Sequence, residues 1–239
     1  MIRDVVPAGE CGAYIRFGTV IDPHMTAVIQ AFAGMLRDLR SIEITDVVPG
    51  FVSLYVEFDV QRATIADLQR VVEEIRLPEV ESIDSGDIIE IPVCYGDSCG
   101  PDLAKVAADC RMSEADVIDI HSSREYIVFF LGFTPGFPFM GTVDERIAVP
   151  RLTAPRTKVA AGSVGIAGYQ TGVYPVDSPG GWRLIGRTTA QLADLSGSEP
   201  QFLLGPGRRV RFRPTDHAHL QHTTSSIDRG RGGRSDRTR

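Results

Sequence analysis

The chain has 239 residues, a hydrophobic fraction of 43% and a formal net charge of −6 at pH 7. This length and apolar content suffice for two domains with buried cores, whereas the negative charge disfavours a nucleic-acid-binding protein, which normally presents a basic surface to phosphates. The N-terminus lacks the pattern of a secretory signal and no apolar run approaches the roughly 18 residues of a membrane span, so we expect a cytoplasmic protein that binds neither nucleic acid nor membrane.

The first part of the chain alternates between strand and helix patterns. A strand is expected at residues 12–18. Asp22 followed by Pro23 predicts the start of a helix, because a capping carboxylate and a proline at the first helical position both favour one. One apolar face is predicted for this helix, formed by Met25, Val28, Phe32, Met35, Leu36 and Leu39.

A second strand and helix follow. Residues 52–58 alternate between apolar and polar side chains, which is the period of a half-buried strand. Thr64 with Asp67 three residues later predicts a capping box at the start of the second helix. With further strands from Ile42 and at 88–93, the order becomes β-α-β-β-α-β, which predicts a ferredoxin-like (split βαβ) N-terminal domain.

The rest of the chain has a different pattern. Residues 78–86 are polar and rich in turn-forming residues, so we assign residues 1–86 to the N-terminal domain and residues 87–214 to a second domain. Two short helices, 101–111 and 114–121, lead this second domain. Short apolar stretches broken by glycine and proline then predict a closed or nearly closed β-barrel.

The final segment, residues 215–239, is poor in apolar side chains and rich in arginine, glycine and serine, which predicts a disordered tail. His217, His219 and His222 lie in or at the edge of this tail, where a flexible tract offers no fixed ligand geometry. The four cysteines match no C-x-x-C pattern. We therefore predict no metal site.

The lysines bear on nucleotide binding. The chain has only two, Lys105 and Lys158, and neither follows the glycine-rich loop that cradles phosphates. We therefore predict that this chain holds no cofactor, and that any ATP used in its reaction is bound by another protein of the same complex.

Glycines and polar side chains concentrate between Pro155 and Trp182. Any single glycine here is better explained by the turns of a barrel. The segment as a whole favours a site for a small polar ligand, because hydroxyl, amide and cationic groups are interleaved with the glycines. These polar side chains are Arg156, Lys158, Ser163, Gln170, Thr171, Tyr174 and Ser178.

His121 and His24 are the histidines expected in the folded part of the chain. At the end of a predicted helix, His121 can be a capping residue that complements the helix dipole. It can equally serve as a general acid or base near neutral pH. Both interpretations stay open.

Three motifs taken together resemble one protein family. They are HSSREYIVFFLGFTPGFPFMG at 121–141, PRTKVAAGSVGIAGYQTGVYP at 155–175 and SPGGWRLIGRT at 178–188. The resemblance is to the family of KipI, the 5-oxoprolinase B-type subunit and allophanate hydrolase subunit 1, whose module is also fused into urea carboxylases as part of a carboxyltransferase-type domain. Two residues depart from its pattern: Ala160, where proline is usual, and Tyr169, where a small or polar residue is common.

The resemblance implies an α+β chain whose barrel is cyclophilin-like. It also implies a hetero-oligomer with a homologous second subunit, of the KipA, 5-oxoprolinase C-type or allophanate hydrolase subunit 2 kind, and a LamB/YcsF-type protein as a candidate third subunit. Finally, it implies a pocket whose apolar wall is the bend at 133–141. This wall, with Phe137 and Phe139, is expected to face Gly180, Gly181 and Trp182.

For such a family the expected function is that of one subunit of an ATP-dependent amidohydrolase, inactive alone. The first candidate is the B-type subunit of 5-oxoprolinase, an enzyme that converts 5-oxo-L-proline to L-glutamate. In that interpretation His121 handles a proton, while Arg156 and Lys158 pair with the substrate carboxylate or a carboxyphosphate-like species. The amide is expected to receive hydrogen bonds from Ser163, Gln170 and Thr171.

Two alternatives stay open at this point. One keeps the site and changes the substrate, which makes the chain an allophanate hydrolase subunit 1 or a urea-carboxylase-type subunit. The other is a KipI-like inhibitor of a sensor histidine kinase, which needs a docking surface and no catalytic pocket.

Overall fold

The computed structural model describes residues 4–39, 42–77 and 87–216 of the chain. Most of the predicted tail, including His217, His219 and His222, lies outside the described residues, as does the predicted hinge at 78–86. None of the helices in the described ranges is long and apolar enough to cross a bilayer.

The N-terminal region is a four-stranded antiparallel sheet with two helices. Its strands lie side by side in the order β1-β2-β4-β3. The elements are β1 (Asp4–Pro7), β2 (Gly12–Arg16), α1 (Pro23–Asp38), β3 (Ile44–Pro49), β4 (Ser53–Phe58) and α2 (Ile65–Glu74).

Both helix starts in this region are confirmed. The Asp22 carboxylate accepts a hydrogen bond from the backbone N–H of His24 at 2.6 Å, and Pro23 opens α1. Thr64 and Asp67 form the predicted capping box of α2. The apolar face of α1 is partly as predicted: its buried apolar residues are Val28, Ile29, Phe32, Ala33 and Leu36, whereas Met35 is 40% exposed. The 3.6-residue period turns Met35 away from this stripe.

Residues 87–216 form a closed seven-stranded barrel with two leading helices. The barrel order is β10-β7-β6-β15-β5-β12-β9. The elements are β5 (Ile89–Tyr95), α3 (Leu103–Cys110), α4 (Glu114–Ser122), β6 (Glu125–Leu131), β7 (Pro138–Gly141), a 3₁₀ turn (Glu145–Ile147), β8 (Arg156–Val159), β9 (Ser163–Ala167), β10 (Gln170–Val173), β11 (Ser178–Gly180), β12 (Arg183–Arg187), β13 (Ala193–Asp194), β14 (Gln201–Phe202) and β15 (Arg209–Pro214). Two short pairs, β11 with β8 and β13 with β14, lie outside the barrel.

The predicted β-α-β-β-α-β order of the N-terminal sheet is wrong at its last strand. The strand predicted at 88–93 is β5, which lies in the barrel, parallel to β15 and antiparallel to β12. The fourth strand of the N-terminal sheet is instead β1, which pairs with β2. The local pattern of β5 identifies a strand but not its partner, because β15 comes from the far end of the chain.

Each region has its own apolar core. In the barrel it includes Val93, Tyr126, Met140, Ile166 and Phe212, all with no exposed surface. The core of the N-terminal region lies between its sheet and its two helices. The chain is therefore a mixed α+β fold that contains a closed barrel.

The two regions touch at an aromatic cluster. Phe51, in the turn between β3 and β4, packs edge-on against Phe129, Phe130 and Phe139, with ring centroids 5.4, 4.7 and 5.9 Å away. The side-chain amide of Gln30 in α1 donates a hydrogen bond to the carbonyl oxygen of Phe129 at 3.3 Å. The N-terminal region thus supports the strands that carry the bend at 133–141, which we call the aromatic bend.

Candidate functional site

The aromatic bend follows β6, and its last four residues form β7. Its backbone turns through Gly136 at φ 81° and Phe133 at φ 66°. A left-handed conformation costs little for glycine, but for phenylalanine it is strained, and such strain tends to occur at functional positions. The Phe133 ring is also 61% exposed. The turn therefore presents an aromatic side chain to solvent at an energetic cost.

The bend faces the segment that contains the only tryptophan. The ring centroids of Phe137 and Trp182 are 5.3 Å apart and nearly perpendicular, and those of Phe139 and Trp182 are 5.9 Å apart. Phe137 also meets Tyr174 edge-on at 5.1 Å. These spacings are those of favourable aromatic pairs. The two segments therefore point toward each other, as the resemblance implies.

A cavity of ≈ 80 Å³ lies between these segments, and we call it the aromatic cavity. Six of the predicted substrate-binding residues line it: Phe137, Phe139, Tyr174, Gly180, Gly181 and Trp182. Two further residues, Phe133 and Arg151, complete the lining. The walls are thus largely aromatic, with one cation.

The close packing of β11 against Tyr174 depends on a glycine. A Cβ atom built on Gly180 would lie 2.3 Å from the Tyr174 hydroxyl oxygen, closer than side chains approach one another. Tyr174 itself is buried, with 1% of its surface exposed. The glycine-rich motif therefore lets the backbone form one side of the aromatic cavity.

Sequence reasoning missed Arg151. Its guanidinium carbon lies 5.9 Å from the centroid of the Trp182 ring, which is a cation–π distance. Arg151 is exposed and makes no ion pair with any residue in the part of the chain that the structure describes. It precedes the glycine-rich segment that begins at Pro155, and no motif points to it.

Arg156 has a structural partner. Its Nη2 donates to the Asp102 carboxylate at 2.7 Å, and the other carboxylate oxygen accepts from the backbone N–H of Leu184, also at 2.7 Å. Within the described ranges its buried Nη1 has no hydrogen-bond partner. Arg156 pairs in register with Gly180, beside the aromatic cavity, but it does not line it.

Lys158 lies away from the aromatic cavity. Its side chain is 72% exposed and its ammonium group is 2.8 Å from the Asp177 carboxylate. This hydrogen-bonded pair raises the pKa of Lys158 and lowers that of Asp177. The predicted role of Lys158 in binding the substrate carboxylate stays a prediction, because its side chain does not line the aromatic cavity.

His121 lies in the barrel interior. Its Nε2 is 2.9 Å from the Thr171 hydroxyl and its Nδ1 is 2.8 Å from the Tyr95 hydroxyl, while its ring stacks on Phe212. Thr171 donates its own hydrogen to the carbonyl oxygen of Gly165 at 3.1 Å. Thr171 must therefore accept from Nε2–H, and Nδ1 accepts from Tyr95.

This environment keeps the imidazole neutral. Burial lowers the pKa of His121 from 6.5 to about 3. The ring has no exposed surface and does not line the aromatic cavity. A proton donor or acceptor for a ligand must be reachable, so this placement favours the structural interpretation of His121. Its role in proton transfer stays a prediction.

The remaining predicted residues lie on three strands, two of them in the barrel and one outside it. Ser163 and Thr171 are buried on β9 and β10, and Gln170 is half-buried opposite Gly141. The Ser178 hydroxyl on β11 is buried without a hydrogen-bond partner in the described part of the chain. The glycine-rich segment runs through four strands, which is why its polar side chains do not meet at one point.

Two of the other cavities are larger than the aromatic cavity. One of ≈ 560 Å³ is lined by residues that include Ser98, Cys99 and Arg187, and a cleft of ≈ 320 Å³ lies between Phe133 and Phe202. None of the predicted site residues lines either of them.

The chain matches the family model described as carboxyltransferase domain, subdomain C and D, over residues 3–204. It is similar to the 5-oxoprolinase B-type subunit of Bacillus subtilis (strain 168), with 42% identity over 216 residues that cover 85% of this chain and 89% of the relative. It is 55% identical to the corresponding B-type subunit of Escherichia coli O157:H7 over 150 residues, 63% of this chain and 66% of the relative. Urea amidolyase of Saccharomyces cerevisiae is 27% identical over 93% of this chain, which spans 14% of that protein.

Solved structures agree with these sequence relatives. The conserved uncharacterized protein PH0987 from Pyrococcus horikoshii is 41% identical, with a TM-score of 0.54, over 91% of this chain and all of that one. TTHA0988 is 38% identical, with a TM-score of 0.72, over 86% of this chain, which spans 40% of the TTHA0988 chain. Together with the family model, which matches most of the sequence, these similarities show that the chain belongs to the carboxyltransferase domain, subdomain C and D, family, as the motifs indicated.

Proposed function

We propose that this chain is the B-type subunit of an ATP-dependent 5-oxoprolinase, which opens the lactam of 5-oxo-L-proline to give L-glutamate. Its relatives that are named as B-type subunits of 5-oxoprolinase support this assignment. In the proposed complex it acts in the cytoplasm with a homologous KipA-like or C-type partner, and with a LamB/YcsF-type third subunit. It is inactive alone, and its barrel belongs to the cyclophilin-like type.

The observation that carries the proposal is the aromatic cavity. Its five aromatic rings, from Phe133, Phe137, Phe139, Tyr174 and Trp182, provide an apolar surface for the ring methylenes of a small lactam. One cation, from Arg151, is available for a carboxylate. 5-Oxoproline carries both features, a saturated ring and a carboxylate.

Hydrolysis of an unstrained amide needs activation, and ATP supplies it. In the proposed reaction the γ-phosphoryl group of ATP is transferred to the lactam oxygen and ADP leaves. One water adds to the lactam carbonyl carbon and the C–N bond breaks, which gives the acyl phosphate of glutamate. A second water hydrolyses that acyl phosphate to L-glutamate and phosphate. Both lysines of this chain are engaged: Lys105 pairs with Asp109 and Lys158 pairs with Asp177. We therefore assign ATP binding to a companion subunit, and to this chain the binding and orientation of the lactam.

Reconstitution tests this assignment. The purified chain is mixed with its C-type and A-type companions, ATP and 5-oxo-L-proline, and glutamate is measured by chromatography. We expect glutamate only when all subunits and ATP are present. Unchanged glutamate formation in a mixture that lacks this chain would rule the assignment out.

The similarity to urea amidolyase favours a second candidate, an allophanate hydrolase subunit 1 or urea-carboxylase-type subunit. Urea has no methylene groups to contact the aromatic walls, so the cavity fits it less well. The same reconstituted mixture, supplied with urea or allophanate in place of 5-oxoproline, separates the two candidates by the product that forms. The role as an inhibitor of a sensor histidine kinase stays a prediction.

A further inference from the structure

Several arginines of residues 87–216 are held in ion pairs. Arg156 is paired with Asp102, while Arg124 and Arg146 both pair with Asp144. Arg151 has no acidic partner in the described ranges, although it lies over the Trp182 ring at the rim of the cavity. Its charge is thus available to a ligand.

The size of the cavity restricts what can enter it. A volume of ≈ 80 Å³ corresponds to about two or three water molecules, since each occupies about 30 Å³ in the liquid. A five-membered lactam is larger than this volume, so it enters only in part and leaves its substituent outside, and a nucleotide or a coenzyme does not fit. The aromatic walls contact the ring, so a charged substituent must lie at the rim, where Arg151 is the one cation of the lining.

The electrostatics of Tyr174 agree with this geometry. Burial raises the pKa of its hydroxyl, whereas a hydrogen bond with the Trp182 backbone and then the positive charges of Arg151 and Arg156 oppose that increase. Both guanidinium groups therefore lie close enough to the Tyr174 hydroxyl to act on it. Because Arg156 is already paired with Asp102, Arg151 contributes the charge that a ligand can use.

We propose that this chain binds its substrate without its companions, in the aromatic cavity, and that Arg151 binds the ligand's carboxylate and selects small lactams that carry one. The inference rests on the proposed function for its substrate class and adds the residue that determines specificity. Arg156 and Lys158, which the sequence analysis assigned to the carboxylate, have their own acidic partners.

Binding to the isolated full chain tests the proposal. Calorimetric titration measures affinity for 5-oxo-L-proline and for 2-pyrrolidinone, the same lactam without a carboxylate. Fluorescence of Trp182, the only tryptophan, reports whether the ligand enters the aromatic cavity. The variants are Arg151→Gln and the charge-preserving Arg151→Lys, with Arg70→Gln as a matched control on an exposed face of α2.

We expect 5-oxo-L-proline to bind saturably and to change the Trp182 fluorescence. Arg151→Gln should weaken this binding by about tenfold or more, the effect of one charge-assisted hydrogen-bonding pair, and Arg151→Lys should recover part of it. The weaker binding of 2-pyrrolidinone should be the same in the wild type and in Arg151→Gln. Arg70→Gln should behave as the wild type.

Three results would overturn the proposal: wild-type affinity in Arg151→Gln, an equal loss for both ligands, or no binding to the isolated chain. If the chain alone does not bind while the reconstituted complex forms glutamate, this inference fails and the proposed function stands. If the chain binds 5-oxo-L-proline through Arg151 while the complex forms no glutamate, the proposed function fails and the binding site stands.

Discussion

His121 is held in the barrel interior by hydrogen bonds to Tyr95 and Thr171 and by the ring of Phe212. Burial lowers the pKa of its imidazole to about 3, whereas in the unfolded chain the pKa returns to about 6.5. Between these pH values the unfolded state binds one more proton than the folded state does at this residue. Its contribution to stability is therefore complete above pH 6.5 and decreases as the pH falls.

We predict that His121→Gln reduces the pH dependence of stability. In the wild type, this residue should contribute a decrease of up to about 1.4 kcal/mol in the free energy of unfolding per pH unit below about pH 6. Urea unfolding at several pH values between about 4.5 and about 7.5, on either side of the ordinary histidine pKa, measures the difference between the two proteins. His24→Gln, at an exposed position, is the control and should follow the wild type. Parallel curves for the wild type and His121→Gln would contradict this account.

The charged residues near the site show that ion pairs could not be predicted from the sequence motif alone. The motif identified Arg156 and Lys158 as cations but did not identify their acidic partners. Arg156 pairs with Asp102, from a distant part of the sequence, and Lys158 pairs with Asp177, from another turn. Whether a cation is available to a ligand depends on such partners. Arg151 lacks one among the described residues and precedes the motif, so no sequence pattern distinguished it.

At the scale of an element, the position of strand β11 also depends on packing. It approaches Tyr174 so closely that a Cβ on Gly180 would lie 2.3 Å from the tyrosine hydroxyl oxygen and 2.8 Å from ring carbons. Tyr174 is packed in turn against Phe137. The space beside Gly180 is therefore part of the architecture of the aromatic cavity.

We predict that Gly180→Ala lowers the free energy of unfolding by about 1–3 kcal/mol, because the buried Tyr174 ring must move. The emission of the neighbouring Trp182 should change as well. Thermal unfolding and fluorescence spectra measure both effects. The matched control is Gly34→Ala in α1, where an added Cβ meets nothing within 4 Å; it should leave the emission unchanged and stabilise the helix slightly. Equal effects of the two substitutions would contradict the proposed contact.

Secondary-structure elements were predictable where their signals are local. The caps at Asp22 and Thr64 were correct because the capping groups lie within three residues of the backbone they bind. The sheet to which β5 belongs was not predictable, because its partner β15 lies at the opposite end of the barrel domain's sequence. β1, a four-residue edge strand, is too short for a clear alternating pattern.

At the scale of the whole molecule, the site combines both regions of the chain. Phe51 of the N-terminal region packs on Phe139, which contacts Trp182 across the aromatic cavity. The N-terminal region thus supports one wall of a cavity that otherwise belongs to residues 87–216.

The resemblance of three motifs to a known family identified the two facing segments before the structure placed them. Phe137, Phe139 and Trp182 could be predicted together because aromatic and glycine-rich segments of this kind occur as a set in that family. The positions of Ser163, Gln170 and Thr171 could not, since the course of the chain around the barrel separates side chains that are close in sequence.

A crystal structure of the chain with bound 5-oxo-L-proline tests the central claim most directly. We expect electron density for the lactam ring in the aromatic cavity, against the rings of Phe137 and Trp182, with its carboxylate directed toward Arg151. Density for the ligand only in the ≈ 560 Å³ cavity beside Arg187, with the aromatic cavity unoccupied, would contradict that claim.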